Sequence, residues 1–152
     1  MVDFKSLSSN QKFFLNILVP LAYLLPLVFA FLAPKNFGFG FPGLVYAGLL
    51  IGVVGVVLWI VAMWTLGPSL AVLPGTDQLV NSGVYRFFRH PVYIGIVLTL
   101  TGLFVACGSL PCLVYVFGVV IPLNIFRARE EEQVLLEQLG APYQEYKNST
   151  LF

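Results

Sequence analysis

Three stretches of this chain contain no Asp, Glu, Lys or Arg: 13–34, 36–76 and 91–126, together 99 of its 152 residues. A water-soluble domain keeps roughly a quarter of its residues charged, whereas here 10% are charged and 59% are hydrophobic. Uncharged runs of this length read as membrane spans rather than core helices. The net charge of +1, spread over several short segments, argues against a nucleic-acid partner. The first apolar run is too long for a secretory h-region and ends in Ala33-Pro34-Lys35 without a small-residue cleavage pattern. The expectation is a mature, multi-pass integral membrane protein.

A helix needs about 20 residues to cross a hydrocarbon core of about 30 Å. The first run therefore holds one span, about 13–34, preceded by the cap residues Ser8, Ser9 and Asn10 and expected to kink or break at Pro20 and Pro26. The second opens with a Gly/Pro-rich turn over 36–43 and gives a span over about 44–66, closed by Gly67-Pro68. The third would be about 54 Å long as one helix. It is split at Cys107-Gly108-Ser109-Leu110-Pro111-Cys112, so it predicts a tight hairpin of two short spans, about 91–107 and 112–126. The fold expected is all-α: one domain over 1–152, a bundle of four transmembrane helices with a loop over 67–90. Leu135, Leu139, Tyr143 and Tyr146 continue an apolar stripe, which predicts an amphipathic helix over 127–147 lying on the membrane surface.

Four crossings put both termini, the 67–90 loop and the tail on one side. That side carries Lys5, Lys12, Arg86, Arg89, Arg127, Arg129 and Lys147, against Lys35 alone on the other, so both termini are expected in the cytoplasm. Cys107 and Cys112 fall at the outer end of the hairpin, where oxidation is possible, but two small apolar residues near a turn explain them as well. Their spacing fits no zinc motif, and no metal is expected. Small residues recur at helical spacing, with Gly48, Gly52 and Gly55 on one face of span two and Gly95, Thr99, Gly102 and Ala106 on one face of span three, the pattern of closely packed helices in lipid. Gly95 has a second reading, given below.

The spans contain no ionisable Asp, Glu, Lys, Arg or His, so polar chemistry is confined to two clusters. One is the run from Gly83 to Gly95 at the entrance to span three, and the other is Arg127-Ala128-Arg129-Glu130-Glu131-Glu132 at the exit of span four. Because spans three and four form a hairpin, its open ends lie side by side and the clusters meet. Pro91 suits the first turn of a helix, which sets Arg89 and His90 at a helix N-terminus beside free backbone donors, a place for an anion. Arg86 reads equally well as an anchor to lipid headgroups. Arg127 and Glu131 are spaced i, i+4 on one helical face.

Gly83-x-Tyr85-x-x-x-Arg89-His90-Pro91-x-Tyr93-x-Gly95, then after a hairpin Arg127-x-x-x-Glu131-Glu132-x-x-Leu135 and Gly140-x-x-Tyr143-x-x-Tyr146, resembles the isoprenylcysteine carboxyl methyltransferase and phospholipid methyltransferase group of integral-membrane enzymes. Leu66-Gly67 and the run Leu79-Val80-Asn81-Ser82-Gly83 resemble the loop before that motif. The likeness covers about 66–150. It implies S-adenosylmethionine as methyl donor, with S-adenosylhomocysteine as product. The residues then offer a fit: Arg89, His90 and the helix start at Pro91 for the donor's carboxylate, Tyr85 or Tyr93 for its adenine, Gly95 for close approach, and Glu131 or Glu132 for its ammonium and ribose hydroxyls. Arg127 and Glu131 are expected to be catalytic through positioning and exclusion of water. Arg127, with Tyr143 and Tyr146, would orient a lipophilic acceptor such as a prenylated cysteine or a lipid headgroup arriving from the bilayer.

Other classes remain as alternatives. A proton-coupled transporter subunit should carry an ionisable residue within a span, and there is none. A two-histidine haem carrier is excluded by the single His90. A membrane reductase using a nicotinamide cofactor and a non-enzymatic four-span scaffold stay open, to be separated by cofactor binding.

Overall fold

The computed structural model describes residues 19–32, 41–67 and 79–151. Five helices follow one another: α1 (Val19–Leu32), α2 (Pro42–Leu66), α3 (Pro91–Cys107), α4 (Leu110–Leu139) and α5 (Ala141–Ser149), with a 3-10 turn over Gly83–Arg86 before α3. No strand occurs among the described residues, and one isolated parallel bridge joins Phe88 to Leu151. The outer parts of the expected first span, most of the turn over 36–43 and the 68–78 part of the loop lie outside the described residues. Lys5, Lys12 and Lys35, which count toward the expected sidedness, lie outside them too.

Within the described part of span one, α1 runs unbroken through Pro26. A proline removes one backbone donor from a helix, and here its ring is fully buried against the neighbouring helices.

α2 and α3 form the tightest pair, because glycines remove the side chains that would hold them apart. A Cβ on Gly48 would lie 2.5 Å from the Ala106 nitrogen, one on Gly55 2.4 Å from the Thr99 nitrogen, and one on Gly102 2.2 Å from the Gly52 nitrogen. Gly95 belongs to the same seam, where a Cβ would stand 2.8 Å from the Trp59 nitrogen and 2.9 Å from the Gly55 carbonyl oxygen. The space its missing side chain leaves is therefore filled by α2. Sequence reading offered that space to a ligand; helix packing takes it.

The rest of α2 faces outward. Tyr46 is 71% and Trp64 85% exposed, and Leu49, Leu50, Val53, Val57 and Ile60 are exposed between them. Such a surface is incompatible with water and suits lipid. α2 and α4 are each long and apolar enough to cross a membrane, and α3 is a shorter apolar helix of 17 residues.

The hairpin turn falls where the sequence predicts it. Gly108 takes left-handed angles (φ 67°, ψ 30°) and its N–H reaches back to the Phe104 and Val105 carbonyls, ending α3. Ser109 then precedes α4, with Pro111 in the first turn. Between the two arms, Leu100, Phe104, Cys112, Leu113, Val116 and Val120 form the buried core, and Tyr23 and Tyr115 pack on it. Cys107 and Cys112 are both free thiols.

α4 departs from expectation. Instead of a span over 112–126 and a separate surface helix over 127–147, one helix continues from Leu110 to Leu139. No proline or glycine interrupts 123–139, so nothing stops it where the charges begin. The break comes at Gly140 (φ 60°), whose N–H bonds to the Leu136 carbonyl, and Pro142 opens the short α5. α4 also contains a π turn over Val116–Val120, in which the Ile121 N–H bonds to the Val116 carbonyl. Pro122, which has no N–H to give, follows at once.

Candidate functional site

The approach to α3 is a compact turn. Gly83 (φ 56°) lets the chain reverse against Thr65 near the end of α2, and a side chain there would meet the Thr65 hydroxyl at 3.0 Å. Tyr85 is buried, and its carbonyl accepts a 2.7 Å hydrogen bond from the Tyr146 hydroxyl of α5. His90 is the residue before α3, and its carbonyl accepts the Tyr93 and Ile94 N–H groups; Pro91 begins the helix.

Against this turn the polar end of α4 delivers its carboxylates, and the two charged clusters meet as the hairpin requires. His90 Nε2 lies 3.3 Å from Glu132 Oε1 and His90 Nδ1 3.8 Å from Glu131 Oε2. Arg89 Nε lies 3.0 Å from Glu132 Oε1. That is an ion pair, although its alignment falls short of a hydrogen bond. Tyr93 donates its hydroxyl to Glu131 Oε1 and stacks on the His90 ring at 5.6 Å between centroids. The Arg127 guanidinium sits 5.6 Å above the Tyr93 ring and 4.0 Å from Glu131 Oε1. The third glutamate, Glu130, is exposed, and the ion pairs to Arg89 and His90 are made by Glu131 and Glu132.

α5 closes the cluster from a third side. Lys147 Nζ lies 2.7 Å from Glu132 Oε2, its carbonyl accepts from Arg89 Nη1 at 3.0 Å, and the Leu151 N–H bonds to the Phe87 carbonyl at 2.9 Å. Tyr143 is 1% exposed and packs beneath the cluster, whereas Tyr146 is half-buried and also lines an open cavity on that side. Burial pushes the Glu132 carboxyl upward, but the Lys147 hydrogen bond, the Arg89 charge and the His90 hydrogen bond outweigh it, and the net shift is downward. Burial raises the Tyr85 and Tyr143 hydroxyls well above the ordinary phenol range and Tyr146 to about 12, the last opposed by Arg89. All three are neutral near pH 7.

Of the residues singled out in the sequence, Tyr85, Arg89, His90, Pro91, Tyr93, Arg127, Glu131, Glu132, Tyr143 and Tyr146 gather at one end of the hairpin. Gly95 is turned into the α2 seam. Arg86 makes no contact with the carboxylates of that cluster and lines an open cavity of 840 Å³ with Asn81, Ser82, Pro142, Glu145 and Tyr146. Sequence reading passed over Lys147, which locks α5 to Glu132, and the pair Tyr23 and Asn124, hydrogen-bonded across 101 residues of chain. Asn124 carried a signal: it is the one Asn in the uncharged run that ends at 126.

The phospholipid methyltransferase profile matches residues 44–141, from the start of α2 to the start of α5. The chain belongs to this family. Three relatives carry the name protein-S-isoprenylcysteine O-methyltransferase. The rat protein (Rattus norvegicus) is 35% identical over 111 residues, the human protein (Homo sapiens) 36% over 110 residues, and that of Saccharomyces cerevisiae 33% over 107 residues. Each match covers 66% of this chain and 37%, 37% and 44% of the relative, respectively. The chain thus spans well under half the length of the methyltransferases it matches. The matched stretch of the phospholipid methyltransferase family contains the hairpin, Arg89-His90-Pro91 and Glu131-Glu132; α1 and most of α5 lie outside it.

Proposed function

We propose that this chain is an integral-membrane methyltransferase that takes its methyl group from S-adenosylmethionine and delivers it to a lipophilic acceptor at the cytoplasmic face of the bilayer. The reading rests on one observation above all: the head of α3 and the polar end of α4 bring Arg89, His90, Glu131 and Glu132 into one cluster of ion pairs at the end of the hairpin.

That cluster fits the donor's amino-acid end. Arg89 and the start of α3 would hold its carboxylate, and Glu132 or Glu131 its ammonium. Tyr93 or Tyr85 would receive its adenine. When bound, the group supplies an electrophilic methyl on a sulfonium. The chain's own part is to bind, orient and exclude water: Arg127, held over Tyr93 beside Glu131, is placed to orient an anionic acceptor, with Glu131 fixing Arg127 in turn. Four crossings, with both termini cytoplasmic, would set this cluster at the membrane boundary where an acceptor can arrive sideways between helices.

Calorimetry on the purified chain in detergent tests the reading. S-adenosylhomocysteine should bind saturably, and Glu132→Gln should weaken binding by about tenfold or more through loss of a charge-assisted contact. Absence of binding, or saturable binding of NADPH instead, would remove the proposal. Radiolabel from S-adenosylmethionine appearing in an extracted lipid fraction would identify the acceptor.

A further inference from the structure

A second meeting of polar side chains lies outside the Arg89–Glu132 cluster, deeper in the apolar part of the fold. Tyr23 of α1 donates its hydroxyl to Asn124 Oδ1 on α4, and it also interacts with Arg127, one turn further along that helix. Tyr115 secures the same stretch of α1 by donating to the Ala22 carbonyl at 3.2 Å. Asn124 is 6% exposed, and its Nδ2 finds no acceptor among the described residues. Buried donors are almost always matched by protein, water or ligand. Arg127 also hydrogen-bonds to the Tyr23 hydroxyl and lies 4.0 Å from Glu131 Oε1, which already accepts from Tyr93. Tyr23 therefore links the Asn124 amide to the Arg127 guanidinium and leaves Nδ2 as the unmatched donor of that group. Glu131 supplies the one carboxylate facing Tyr23 and Arg127, and the donor that stays unmatched, Asn124 Nδ2 beside a guanidinium, is complemented by a further anionic oxygen.

From this geometry we infer that Tyr23 is a positioning residue for the acceptor, orienting the Asn124 amide so that Nδ2 acts with Arg127 on the carboxylate of a lipophilic acid. The inference rests on the methyltransferase reading above and extends it to α1, which the family match does not include. A carboxylate suits a niche made of donors better than an amine does. It can be methylated without first losing a proton, so it needs holding and orienting rather than a base. An ammonium headgroup would meet Arg127 as a like charge.

Steady-state kinetics of the purified full chain with N-acetyl-S-farnesylcysteine as probe, paired with S-adenosylhomocysteine calorimetry, decides it. Tyr23→Phe keeps the ring and removes the hydroxyl. It should raise KM for the probe about five- to tenfold, the size expected for one lost hydrogen bond, with kcat changed less than about twofold and cofactor affinity unchanged. Asn124→Asp keeps an oxygen for Tyr23 but replaces the donor with a second carboxylate oxygen, and should lose probe methylation while still binding cofactor. A Tyr23→Phe chain with wild-type KM overturns the inference, as does a parallel fall in kcat and cofactor affinity, which would mark α1 as merely structural. Wild-type chain that binds S-adenosylhomocysteine and methylates phosphatidylethanolamine but not the probe refutes this inference and leaves the methyltransferase reading standing. Wild-type chain that binds no S-adenosylhomocysteine refutes that reading first.

Discussion

Glu132 meets three positive or hydrogen-bonding groups from two separate pieces of chain: Arg89 and His90 ahead of α3, and Lys147 on α5. Its carboxyl is held below the ordinary value of 4.5. A depressed carboxylate contributes stability that is complete above its unfolded pKa and is lost as pH falls through its folded one. Acidification below about 4.5 should therefore loosen α5 from the hairpin, visible as faster amide exchange over Ala141–Ser149 in detergent. Glu132→Gln should flatten that pH dependence. The partners from α3 and α4 were legible in the sequence because charges are so scarce that only two clusters were available to meet. Lys147 was not: a single lysine in a polar tail has many possible neighbours, and its place follows from the reversal at Gly140. Tyr23 and Asn124 were hidden for a related reason, since one Tyr and one Asn in apolar runs carry no spacing that links them.

Helix against helix, the α2–α3 seam was written in the spacing of its glycines, and the structure brings those two faces together. Its tolerance for side chains is correspondingly small. Gly102→Ala would press a methyl against backbone at 2.2 Å, which cannot yield as a flexible side chain would. It should cost at least ~1–3 kcal/mol and lower the melting temperature in detergent. Gly118→Ala, in the π turn with no heavy atom within 4 Å of the added carbon, should leave melting unchanged or raise it. The course of α4 was less legible. Polarity changes abruptly at Arg127 and suggested a new element, but hydrogen bonding along a helix is indifferent to whether its side chains meet lipid or water. The π turn left no periodic trace; Pro122 is its only visible cause.

At the scale of the molecule, the exterior of α2 and the apolar half of α4 would be untenable in water. Trp64 at 85% exposure reports on this directly. Reconstituted into bilayers of brominated lipid, the chain should lose most of the Trp64 emission, with Trp59, which lies along the glycine seam, quenched less; a Trp64→Phe variant separates the two signals. The connection through Gly108 and Ser109 has a further consequence under the four-span arrangement. The two halves of the candidate site ride on neighbouring arms that turn on the far side of the bilayer from the site itself. In that arrangement Arg89 and His90 would emerge first and would meet Glu131 and Glu132 only once the second arm had threaded back. An insertion error in either arm would strand the two halves on opposite membrane faces, so occupancy of this site by its cofactor would double as proof that the hairpin was threaded correctly.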